Sequence, residues 1–215
     1  MQIAILAFDK LTALDAIGPY EVLSRLPGAE LTFVGTETGP IRTDTGRLGI
    51  SIDASLEEIP EPDVFLVPGG EGNRPLMQDE RVLDWLRHAH EHSTWSTSVC
   101  TGSLVLGAAG ILEGKRATTH WAYRDDLEQF GATPVAERWV EDGKVITAAG
   151  VSAGIDMALT LVSRLYDENV AKAVQLGIEY DPDPPFDAGS PEKAGPELTE
   201  LIRGLEQGAA EPASG

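Results

Sequence analysis

The chain has 215 residues, 42% of them hydrophobic, and 16 Lys+Arg against 35 Asp+Glu leave a formal net charge of −19. That length suits one large domain with a sizeable core, and the composition excludes intrinsic disorder. So negative a chain repels phosphate backbones, which argues against nucleic acid as a partner; a small substrate stays open, because the field at a site need not follow the global sign. A single cysteine excludes an internal disulfide framework and a Cys-rich metal site.

Residues 2–8 (QIAILAF) form an apolar run of the kind a doubly covered strand needs. The apolar runs, such as 64–67 and 104–112, are too short to span a bilayer. A strand beginning at Gln2 leaves no room for a signal segment, so a cytoplasmic protein without membrane partners is expected. A helix is predicted over 15–26, ended by Pro27-Gly28. A second strand covers 30–35, and turns at Gly39-Pro40 and 43–49 suggest a small hairpin. The run DVFLV at 63–67 is a buried strand that leads into Pro68-Gly69-Gly70. A helix over 79–92 places Val82, Leu83, Leu86 and Ala89 on one face. The next strand, 95–99, leads into Cys100, and 101–110 reads as a small-residue helix closed by Gly110.

An extended segment begins at Arg116, 123–130 reads as a helix capped by Gly131, and Asp142-Gly143 turns a hairpin between residues 139 and 147. Helices over 153–166 and 167–179 follow, then an irregular loop with Pro182, Pro184 and Pro185, and a last helix over 196–207. The tail from Gly208 is expected to fray. Strands alternating with helices define an α/β fold: a mostly parallel sheet with helices on both faces. One domain over 1–190, followed by a C-terminal helix and tail over 191–215, is expected.

Ligands of open α/β sheets gather at the carboxyl ends of the strands. Three segments there carry unusual chemistry: Ala13 through Pro19, Val67-Pro68-Gly69-Gly70, and Ser98-Val99-Cys100-Thr101-Gly102-Ser103. By default a lone cysteine is a small buried hydrophobe. Its position between a strand and a helix, among small residues, instead has the form of a nucleophile elbow. A helix N-terminus favours a thiolate there. The N–H groups at that helix N-terminus, with those of Gly69 or Gly70, are expected to face developing negative charge. Asp15 reads equally well as a first-turn acid and as a buried carboxylic acid beside Cys100 that passes protons.

His88 and His92 share a helix face with ligand-like spacing, but no Asp/Glu/Cys cluster is expected to complete a metal site; charge complementarity at the helix C-terminus is the preferred reading, and no metal is expected. His120 is a possible base or a core histidine. The segment 150–156 lacks the spacing and the Lys-Ser/Thr of a phosphate loop, and no cofactor is expected.

Together the segments AILAFDKLTALDAIGPYEVL, VFLVPGG, SVCTGSLVLGAAGILEGKRATTHW and ITAAGVSAGIDMALTLV resemble the ThiJ/PfpI superfamily, across most of residues 1–180 and in the expected order. The resemblance implies a flavodoxin-like sandwich related to class I glutamine amidotransferases. Within it the chain is most similar to the isocyanide hydratase branch, through Cys100-Thr101 and the C-terminal IEYDPDPPFDAGSP. It implies Cys100 as nucleophile, Asp15 as acid/base, and Thr101 contributing a hydroxyl and an amide, with Gly70 and Thr101 N–H groups around the reacting centre. Asp183 in the late loop is a further possible contributor. A homodimer acting on a small molecule is implied too.

Thr101 stands where the protease-like branch has His, and Asp15 where deglycase and chaperone relatives have Glu. The stretch ATTHW also occurs in regulators fused to a helix-turn-helix domain, for which this chain leaves no room. Two other functions stay open at this level: a redox-sensing cysteine protein, and a glyoxalase or deglycase.

Overall fold

The structure, a computed structural model, describes residues 1–209. The chain divides into two compact units, Met1–Ile178 and Glu179–Gly215. The Pro-rich segment thus groups with the second unit, ahead of the boundary expected at 190.

In chain order the first unit contains β1 (Gln2–Leu6), α1 (Ala13–Leu23), β2 (Glu30–Gly35), β3 (Gly39–Arg42), β4 (Gly49–Ile52), β5 (Ala54–Ser55), β6 (Val64–Val67), α2 (Asn73–Leu76) and α3 (Glu80–His92). It continues with β7 (Trp95–Val99), α4 (Gly102–Ala108), β8 (Arg116–Ala117), a 3-10 helix (Trp121–Phe130), β9 (Thr133–Pro134), β10 (Trp139–Asp142), β11 (Val145–Ala148), α5 (Ala153–Leu165) and α6 (Glu168–Gly177). The second unit holds α7 (Pro191–Ala194) and α8 (Pro196–Ala209). Residues 210–215, where most of the fraying tail was expected, lie outside the described residues.

Seven strands form the main sheet in the order β10-β11-β7-β6-β1-β2-β5. Every pairing is parallel except β10 with β11, where the Asp-Gly turn reverses the chain. Consecutive residues Ile3, Ala4 and Ile5 are buried, as are Val64 through Val67, so the central strands are covered on both faces. α1 packs on α5 and α5 on α6, while α4 packs on α3 and on the 3-10 helix. This is the expected α/β sandwich. Among the described residues, no helix is long and apolar enough to cross a membrane.

Two details differ from the sequence reading. Residues 121–130 form a 3-10 helix, capped by the His120 side chain at its start and by left-handed Gly131 at its end. The four-residue α2 and the two-residue β5 and β9 were not foreseen, because none is long enough to show a periodicity. The hairpin around 43–49 is present as β3 paired antiparallel with β4.

Topology positions the site. From β1 the chain crosses to β2 on one side, and later returns to β6 on the other. Such a reversal opens a crevice at the carboxyl ends of the strands, and β7 lies beside β6 at its edge.

Candidate active site

Three neighbouring strands deliver the site residues. α1 follows β1 and carries Asp15; Gly69 and Gly70 follow β6; Cys100 follows β7. The first two turns are stitched together, with the Thr12 N–H donating to Gly69 O at 2.8 Å. Asp15 lies in the first turn of α1, where Thr12 is the N-cap, and its side chain is fully buried. A helix cap would face solvent or its own backbone. Asp15 Oδ2 instead accepts the Gly69 N–H across the sheet at 2.8 Å.

Cys100 has φ 56°, in the left-handed region that L-residues other than Asn and Asp seldom enter. Strain of this kind costs about 1–3 kcal/mol and persists only where neighbours fix the backbone. Here they do. The Cys100 N–H is shared between Ala148 O and Ala149 O at 3.1 Å each, and Thr119 Oγ1 donates to Cys100 O at 2.7 Å. The turn is sharp because the helix starts immediately, at Gly102. The sulfur residue is 7% exposed, so it is neither sealed nor freely solvated.

Gly69 makes the cluster possible. A Cβ there would lie 2.7 Å from Thr101 N, and 2.8 Å from both Asp15 Oδ2 and Cys100 Cβ. Only a residue without a side chain lets these three groups converge. Gly70, at φ 131°, is likewise crowded by the backbone of residues 10–12.

Burial is the main reason that the Asp15 pKa is pushed up from 3.8 to about 7. Hydrogen bonds from Gly69 and Cys100 oppose the rise, and the negative charge of Asp44 adds to it. Asp44 is held in place by the Thr12 hydroxyl, which donates to its Oδ2 at 2.9 Å. Asp15 Oδ1 is buried with no hydrogen-bond partner among the described residues. A carboxyl that changes protonation near neutrality, bonded to a thiol, with one oxygen unengaged, is suited to moving protons.

Thr101 is a donor by elimination. Its Oγ1 accepts the Gly70 N–H at 3.1 Å and Asn73 Nδ2 at 2.8 Å. Two acceptor positions are thereby filled, and the hydroxyl hydrogen is left to point elsewhere. Asn73 is buried, and its own Oδ1 has no partner among the described residues.

The fold brings Cys100, Asp15, Thr101, Gly69 and Gly70 together, with one difference in direction. The Gly69 and Gly70 N–H groups were expected to face a ligand; they are turned onto Asp15 and Thr101. The first N–H groups of α4 have no intrahelical partner. His120 caps the 3-10 helix, its Nδ1 accepting the Ala122 N–H at 3.4 Å, and its ring packs where a Gly150 side chain would stand. Asp183 is an exposed residue of the second unit.

Asn73, Thr119 and Asp44 escaped the sequence reading. An Asn shortly after Pro-Gly-Gly is the one signal that pointed to the first of them. Away from this site, the fold also brings Glu61 against His88 and His92, a third group that spacing alone did not provide.

A flavodoxin-like sandwich with a strained cysteine between strand and helix defines the class. The DJ-1/PfpI family profile matches residues 1–164, and the chain belongs to this family. It is 50% identical over 194 residues to the isonitrile hydratase of Pseudomonas putida, covering 90% of this chain and 85% of that protein. A crystal structure of a ThiJ/PfpI family protein from Pseudomonas syringae superposes with a TM-score of 0.93 at 38% identity, over 97% of this chain and 87% of that one. Drosophila melanogaster DJ-1β shares the fold, with a TM-score of 0.75 at 22% identity over 83% of this chain and 97% of that one.

Proposed function

We propose that this protein is an isonitrile hydratase, adding water to the terminal carbon of an isocyanide to give an N-substituted formamide. The observation that carries the reading is the buried Asp15, with a pKa near neutrality and hydrogen-bonded to Cys100. The half-identical Pseudomonas putida relative supplies the substrate class.

An isocyanide, R–N≡C, accepts a nucleophile and a proton on the same carbon. The reactive enzyme holds the Cys100 sulfur as thiolate and Asp15 as acid. The sulfur attacks the carbon, forming the S–C bond, and the Asp15 proton moves to that carbon. The product is a thioimidate, Cys100–S–CH=N–R, beside an ionised Asp15. Asp15 then takes a proton from water as the water oxygen bonds to the carbon, and relays that proton to nitrogen. The resulting Cys100–S–CH(OH)–NH–R collapses: the C–S bond breaks with its electron pair on sulfur, and the hydroxyl proton returns to Asp15. The formamide leaves, and both groups regain their starting states.

The pocket supports each step. A fully buried carboxyl alternates between acid and base at little cost near pH 7. The Thr101 hydroxyl, with both acceptor positions filled, offers a hydrogen to the leaving sulfur or to the product oxygen. Asn73 Oδ1, buried with no partner among the described residues, is the acceptor that the reading assigns to the attacking water. Asn73 and Gly70 act as positioning residues for Thr101. No step requires a metal or an organic cofactor. The reading places the enzyme in the cytoplasm as a homodimer; a lone thiol stays reduced there.

Two measurements test it. Intact mass after mixing with p-nitrophenyl isocyanide is expected to show an adduct on the parent and none on Cys100→Ala, with turnover of Cys100→Ala reduced on the order of 10⁴-fold. Full activity of Cys100→Ala would overturn the reading. Methylglyoxal consumption without isocyanide turnover would move it to a deglycase, and a peroxide mass gain without either to a redox sensor. Because the resting enzyme needs Asp15 protonated, kcat/KM is expected to fall as pH rises above about 7. A rise through that range would exclude Asp15 as the first proton donor.

A further inference from the structure

At the opposite pole of the sheet, the geometry points to a surface site for one divalent transition-metal ion of the zinc class, formed by Glu61, His88 and His92. Glu61 shortly precedes the amino end of β6, and His92 that of β7, whereas Cys100 follows the carboxyl end of β7. The two sites are distinct.

His88 and His92 lie one turn apart on α3, with ring centroids 4.4 Å apart. His92 Nδ1 donates to His88 O at 2.9 Å. A carbonyl only accepts, so this bond fixes the proton on Nδ1 and leaves the Nε2 lone pair available. Metal-binding histidines are oriented by the same kind of second bond. That Nε2 lies 3.8 Å from Glu61 Oε1, while His88 Nε2 donates to the same oxygen at 3.1 Å, a proton that a bound metal ion displaces. All three ligand atoms fall within 4.8 Å of one another. Bonds of about 2.0–2.2 Å around a tetrahedral Zn²⁺ hold its ligand atoms roughly 3.3 Å apart. Small side-chain rotations of these half-exposed groups close that gap.

The acid is presented stiffly. Glu61 stands between Pro60 and Pro62, which restrict the backbone on both sides. Trp85 Nε1 on α3 donates to Ile59 O at 2.9 Å, tying this segment to the helix that bears both histidines. Two imidazoles and one carboxylate, with water completing the coordination, suit Zn²⁺, Ni²⁺ or Cu²⁺ better than Mg²⁺ or Ca²⁺. A net charge of −19 draws cations to the surface. The bound ion clips the segment before β6 to the end of α3, and because it needs the folded arrangement it stabilises the native state.

The test is calorimetric titration of ZnCl₂ into the untagged chain carrying Cys100→Ser, so that the thiol is not a competing ligand. Saturable binding of one equivalent is expected, weakened at least about tenfold by Glu61→Gln, His88→Gln or His92→Gln. His90→Gln serves as control: its ring is bonded to Ser96 Oγ on a different bearing of the same helix, and affinity should stay unchanged. Zinc is also expected to raise the melting temperature of the parent but not of His92→Gln, with melts in EDTA confirming that each variant folds. No saturable binding, or unchanged affinity in the His88→Gln/His92→Gln double variant, would overturn the site.

Discussion

Asp15 and Glu61 are both carboxylates at turns flanking the central strands, one fully buried beyond the carboxyl end of β1, the other exposed before the amino end of β6. Asp15 has a single backbone donor and an unengaged oxygen; Glu61 faces two imidazoles across a short gap. The difference teaches that location relative to solvent, more than residue type, sets what an acid does. Taken out of water, the carboxyl keeps its proton to neutrality and can lend it. Left in water, it pairs with whatever cation its neighbours help to hold.

The sharpest way to break that contrast is Asp15→Asn. Asparagine keeps an acceptor for Gly69 N–H but carries no proton to exchange. Turnover is expected to fall about 10²- to 10⁴-fold. Stability should move the other way. The folded pKa of about 7 lies above the ordinary 3.8, so the contribution of Asp15 to native stability is fully present below about pH 4 and is lost as pH rises to about 7. Above that range the buried anion costs on the order of 4 kcal/mol, and Asp15→Asn escapes it. Denaturant melts at about pH 9 should therefore find the variant more stable than the parent, with little difference near pH 4. Equal stability at both pH values would mean that Asp15 is ionised at no cost.

A smaller effect is expected at Thr101. Thr101→Val keeps the shape and removes the hydroxyl, leaving the Gly70 N–H and the Asn73 amide without their acceptor. A roughly tenfold or greater drop in kcat, with little change in KM, is the expected split for a group that acts on the leaving sulfur. A change in KM alone would assign Thr101 to ground-state binding. The smallest effect concerns the backbone. Cys100→Gly removes the nucleophile and also relieves the φ of 56°, so the inactive variant is expected to gain about 1 kcal/mol in a denaturant melt. Loss of stability would show that packing of the sulfur outweighs the strain.

Much of this was legible in the chain itself. QIAIL and VFLV are apolar without alternation because both faces of their strands are covered, and that pattern is visible in one dimension. Cys100 was legible because a strand, a cysteine and small residues in a row have few structural uses. Directions were not legible. Gly69 and Gly70 announced a close approach, yet which oxygen would receive each N–H depends on how three strands are stacked. Asn73 sits on a helix of one turn, too short to carry a periodic signal. Glu61 and His88 are 27 residues apart, and only the pairing of β6 with β7 makes them neighbours.

The rims of the main sheet have a consequence of their own. One rim, β5, offers just two residues, Ala54–Ser55; the other, β10, ends in Glu141 and Asp142, which are occupied by Arg164 and by the Arg116 N–H. Two residues at one rim and four at the other are a short template for another chain to zip onto, and acidic side chains discourage the attempt. Runaway ribbon growth is thereby checked, and any self-association is steered toward helices and loops, where a symmetric pair closes after one contact.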